Sequence, residues 1–85
     1  MIKSVRDPAY IALIDWLVSV REMQGLTVRQ LAEKLGEDDH SIIVKIETKV
    51  RKISATEYYG FCKALNVDTS EGYEAMEKAA NLKFW

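Results

Sequence analysis

Apolar residues recur along the chain at intervals of three and four, and short polar clusters interrupt the rhythm. That spacing belongs to helices with one buried face, and it predicts five of them. The first opens at Asp7 and Pro8, a cap and first-turn pair in which the missing proline N–H costs nothing. Ile11, Ile14, Leu17, Val18 and Arg21 follow on one face, and Gly25 supplies the left-handed exit. The second starts at Thr27, with Gln30 three residues on completing a capping box. Leu31, Ala32 and Leu35 point inward and Gly36 closes it; so short a helix holds only by packing on its neighbours.

A third helix is predicted over residues 40 to about 49, capped by Asp39 after a turn of Glu37, Asp38 and Asp39. Ile43 and Ile46 are its inward residues. Ile42 and Val44 complete a β-branched run that lowers helix propensity, so a strand over 41–50 is the rival. The caps and the short helices on either side favour the helix. Ser54 and Glu57 form a second capping box and open a fourth helix through Leu65, with Asn66 as its exit. Tyr58, Phe61, Cys62 and Leu65 make its apolar stripe. Asp68 or Thr69 caps a fifth helix reaching toward Leu82, on which Tyr73, Met76 and Ala80 share a face, with Phe84 and Trp85 beyond. The expected fold class is all-α, one domain over residues 1–85.

Composition sharpens this by exclusion. A 48% hydrophobic content with one proline and four glycines is that of a packed domain, and 85 residues allow one core. Cys62 is the single cysteine, which rules out an internal disulfide and a cysteine-based zinc site. No apolar run has the length of a signal or spanning segment, so a cytoplasmic location without membrane contact is expected. One histidine, one core-type cysteine and no carboxylates clustered among apolar residues leave nothing for acid–base or covalent chemistry. There is also no glycine-rich phosphate loop. Neither an enzyme, nor a metal, nor a cofactor is expected.

The formal charge of −1 by itself argues against a nucleic-acid surface, but its distribution does not. Glu33, Glu37, Asp38 and Asp39 face only Lys34 in their stretch, whereas Lys45, Lys49, Arg51 and Lys52 face only Glu47 in theirs. Downstream, Asp68, Glu71, Glu74 and Glu77 outnumber Lys78 and Lys83. Positive charge is thus gathered in one central stretch.

Three blocks stand in order: Gly25-Leu-Thr-Val-Arg-Gln-Leu-Ala-Glu-Lys-Leu-Gly36, His40-Ser-Ile-Ile-Val-Lys-Ile-Glu47, and Cys62-Lys-Ala-Leu-Asn-Val67. Over roughly residues 12–73 the chain resembles the Cro/CI-type helix-turn-helix family of phage and bacterial repressors. The resemblance implies a five-helix, repressor-like domain that places its third helix in the major groove of double-stranded DNA. It also implies a homodimer reading an approximate inverted repeat. The family's base-facing positions fall on His40, Ser41, Ile42 and Lys45, with Val44 at the margin. Lys45 would donate to guanine, Ile42 would press on a thymine methyl, and Ser41 would bond a base edge or phosphate. Phosphate contacts would come from Thr27 and Arg29 at the second helix and from Lys49, Arg51 and Lys52 after the third. Arg21 and Glu47 fall where the family bridges its first and third helices with an ion pair.

Plainer roles stand beside these. His40 could be a solvated residue, Ser41 a satisfier of first-turn N–H groups, Ile42 a contact of the fourth helix, and the three cations a solvated loop. The chain also departs from the family pattern. The stretch from Gly36 to Glu47 is one residue longer, Val28 stands where many members carry a phosphate-touching glutamine, and the turn is acidic. Residues 67–85 form a tail whose Tyr73, Met76, Phe84 and Trp85 would either make a dimer patch or fold back near Tyr10 and Trp16. The rival function is a protein-interaction module of the same fold, such as an antitoxin, antirepressor or adaptor gripping a protein partner.

Overall fold

A computed structural model describes residues 7–80 and contains five helices in chain order. They are α1 (Pro8–Met23), α2 (Val28–Leu35), α3 (Ser41–Glu47), α4 (Ala55–Leu65) and α5 (Thr69–Ala80). The described residues form no strand. The expected all-α class therefore holds, and the β-branched run is helical because Ile43 and Ile46 reach the core, at 0% and 1% exposure. Burial of two isoleucines outweighs a few tenths of a kcal/mol of intrinsic preference, at roughly 1.5–3 kcal/mol each.

The starts follow the caps. Asp7 Oδ1 accepts from the Ala9 and Tyr10 N–H groups at 2.8 and 3.4 Å. Both capping boxes close reciprocally, Thr27 with Gln30 and Ser54 with Glu57. Asp68 opens α5, accepting from the Ser70 N–H at 2.9 Å. The stops share one device. In α1 to α4 the chain exits through a left-handed residue: Gly25 (φ +71°), Gly36 (φ +76°), Lys49 (φ +66°) and Asn66 (φ +58°). Each exit repeats the same pair of bonds, such as Val50 N–H to the Lys45 carbonyl and Lys49 N–H to the Ile46 carbonyl. Lys49 is the one the sequence hides, and it stops α3 at Glu47, short of the expected end.

The core lies where α1 meets the other helices. Tyr10, Leu13, Ile14, Leu17 and Arg21 form the buried stripe of α1, rotated slightly from the expected one, since Ile11 and Val18 are only half-buried. Leu31 from α2, Ile43 and Ile46 from α3, and Tyr58, Phe61, Cys62 and Leu65 from α4 complete it. α5 packs along α1, the most extensive helix pair of the fold, and buries Met76. None of the described helices is long and apolar enough to cross a membrane.

Candidate nucleic-acid interface

Two short helices, α2 and α3, are joined by residues 36–40, and the turn sets how α3 is presented. Gly36 takes the left-handed conformation, and the Glu37 N–H turns back to the Ala32 carbonyl at 2.9 Å. Asp39 then supplies the capping oxygens: its Oδ1 accepts from the Ser41 N–H and its Oδ2 from the Ser41 hydroxyl, both at 2.9 Å. These bonds hold the Asp39 carboxyl below its ordinary range. The regular turn begins at Ser41, one residue later than expected, so the N-cap is half-buried His40, whose side chain makes no cap bond, and Asp39, expected as the cap, acts from one position before it.

The rotation of α3 follows from its two buried isoleucines. At about 100° per residue, Ser41, Val44, Lys45 and Thr48 fall within about 50° of the direction opposite Ile43 and Ile46. All four are exposed. Ile42 is turned about 110° away from that outer direction. It lies half-buried in a cleft with Leu35, Gly60 and Phe61, which is the fourth-helix contact raised as its plainer role. The outward stripe thus contains Ser41 and Lys45 from the expected set and adds Val44 and Thr48. An i, i+3, i+4, i+7 count from Ser41 was the available signal for Thr48.

Arg21 and Glu47 meet behind the stripe. Arg21 Nε donates to Glu47 Oε2 at 2.7 Å and a second nitrogen to Oε1 at 3.0 Å, while Nη1 donates to the Leu26 carbonyl at 2.7 Å. The side chains are 11% and 12% exposed, and the bond to Glu47 raises the Arg21 pKa. This fork ties α1, the loop before α2, and the end of α3 together.

The cations around the stripe divide into two groups. Lys49 Nζ reaches Asp15 on α1 at 2.8 Å. Arg51 binds Glu57 with both terminal nitrogens, at 3.0 and 2.8 Å, and its Nη1 also bonds the Lys52 carbonyl. The guanidinium and the Ser54 N–H together push the Glu57 carboxyl down to about 2. Arg29, Lys45 and Lys52 are exposed, and none of the ion pairs among the described residues includes them. Thr27 sits at the start of α2 with its hydroxyl oxygen accepting from the Gln30 N–H at 3.1 Å. The acidic residues Glu33, Glu37 and Asp38 are solvent-facing.

Among the tail residues, Met76 is 9% exposed and is taken up by packing within the chain. Tyr73 is 52% exposed, with its ring 5.5 Å from that of Tyr58. Phe84 and Trp85 lie outside the described residues.

Two short helices meeting at a tight turn, the second pinned inward by isoleucines and bare on its outer side, define a helix-turn-helix domain. The helix-turn-helix family model matches residues 17–71, and the chain belongs to this family, of Cro/CI type, whose members are DNA-binding regulators. No curated protein and no solved structure matches the chain.

Proposed function

We propose that this chain is a sequence-specific transcriptional regulator, a repressor of phage or mobile-element type that binds an approximate inverted repeat as a homodimer. The outward stripe of α3 is the observation that carries it. A rod backed by buried isoleucines and fixed by the Arg21–Glu47 fork offers Lys45 to a groove wide enough for a helix. Arg29 and Lys52, exposed at either side, are suited to phosphate. Lys49 and Arg51 would serve phosphate only by sharing or leaving Asp15 and Glu57. His40 would act from the edge of the stripe. Dimerisation is assigned to Tyr73, on the exposed side of α5, together with Phe84 and Trp85, which lie outside the described residues, and the protein would work in the cytoplasm on the nucleoid.

Selection from a random duplex pool, followed by titration at several salt concentrations, tests this reading. An enriched inverted repeat bound with steep salt dependence is expected. A pool without enrichment, together with a co-purifying protein, would overturn it in favour of the interaction module that the exposed acidic turn suggests.

A further inference from the structure

We propose that Val44 senses the 5-methyl group of a pyrimidine, thymine in ordinary DNA, at one position of each half-site; this rests on the DNA-binding reading above. Four side chains occupy the outer side of α3, and two have already used their hydroxyl hydrogens inside the protein. Ser41 Oγ donates to Asp39 Oδ2 at 2.9 Å, and Thr48 Oγ1 donates to the Val44 carbonyl at 2.7 Å. The donor the stripe still offers is the cation Lys45, and its largest apolar side chain is Val44, 39% exposed; Ser41 and Thr48 keep acceptor lone pairs, and Thr48 a single methyl.

A β-branched residue at an exposed helical position is a poor choice for stability alone, because its side chain loses rotamer freedom that alanine does not have. Placed there, Val44 does little for the fold and presents its methyl groups to whatever α3 meets. The base edges of the major groove display hydrogen-bonding groups and one apolar feature, the thymine methyl. Ile42, the residue first expected to meet that methyl, lines the cleft with Leu35 and Phe61.

The test replaces each thymine of the selected operator, one at a time, by deoxyuridine. The change deletes one methyl and keeps every hydrogen-bonding group. At one thymine of each half-site the wild-type protein should lose about fourfold in affinity, the worth of one buried carbon. V44A should bind both duplexes equally, while K45A binds more weakly but keeps the fourfold methyl dependence. Circular dichroism confirms that V44A is folded, and V44T, closer in shape, provides a second folded variant with a reduced methyl dependence. The inference is overturned if no deoxyuridine duplex weakens wild-type binding, or if V44A keeps the full penalty. A pool that enriches no duplex overturns the DNA-binding reading itself, a result distinct from an operator bound without regard to its methyls.

Discussion

At the residue scale the division of labour among the lysines and arginines carries most of the information. Lys45 projects from the outer side of α3, whereas Lys52 lies in the loop beyond it, and neither enters an ion pair among the described residues. Base readout and phosphate contact leave different signatures. K45A is expected to flatten base preference at one operator position, and K52A to weaken all duplexes about equally and shallow the salt slope by about one unit. Competition titrations against operator and random DNA separate the two; an unchanged salt slope in K52A would remove it from the phosphate set. Lys49 is a different case. Its left-handed backbone is strained for any residue with a Cβ, at a cost of about 1–2 kcal/mol. K49G relieves that and gives up an exposed pair with Asp15, so a net gain of about 0.5 kcal/mol is expected in urea unfolding. A loss would mean that the Asp15 contact outweighs the strain.

At the element scale the start of α4 is where charge and capping converge. Glu57 bonds the Ser54 N–H at 2.8 Å through Oε1 and grips Arg51 with both oxygens. A carboxyl whose pKa is depressed on folding stabilises the fold while ionised. Its contribution is complete above the ordinary value of 4.5 and drains away as pH falls toward about 2. E57Q retains the box, because glutamine at this position reaches the same N–H, but loses the ion pair. It should be less stable than wild type by about 0.5–1 kcal/mol at neutral pH, the partly exposed pair being screened by solvent. The gap should close between pH 4.5 and about 2. Urea unfolding across that range is the measurement, and a gap that persists at the acid end would show that the charge is not its source.

At the scale of the whole molecule, two long-range contacts decide whether the recognition surface is held at all. The Arg21–Glu47 fork joins residues 26 apart in sequence. With both side chains largely shielded, E47A strands a guanidinium and should cost about 3 kcal/mol, read from the urea midpoint. A cost below about 1 kcal/mol would place the pair with ordinary surface bridges. The α1–α5 contact depends on Gly72. A Cβ there would collide with the Tyr58 hydroxyl and come within 2.8 Å of Leu13 Cδ1 and 3.0 Å of Trp16 Cζ3. The Tyr58 hydroxyl is itself held by the Thr69 carbonyl at 2.5 Å, so it yields poorly. G72A gains about 1 kcal/mol of helix propensity and loses about 1–3 to overpacking. A net loss near 1 kcal/mol, lowering the melting temperature by about 5 °C, is expected from calorimetry. A rise in melting temperature would show that α5 can shift at little cost.

What the sequence determined by itself was local. The capping boxes at Thr27 and Ser54, the exits at Gly25, Gly36 and Asn66, and the inward pair Ile43 and Ile46 all depend on residues within five positions of one another, so pattern suffices to find them. The three ordered blocks were likewise enough to place the chain in its family. Tertiary structure alone decided that Ile42 turns to the cleft beside Phe61 and that Met76 is spent on the core, whereas the helical count from Ser41 already reached Val44 and Thr48. It also decided which cations are committed. Lys49 and Arg51 read as free charges in a basic run, and only the folded chain brings Asp15 and Glu57 beside them. The physical reason is the same throughout: a helix's residue types fix which faces exist, whereas the partner of each face is fixed by packing between segments far apart in the chain.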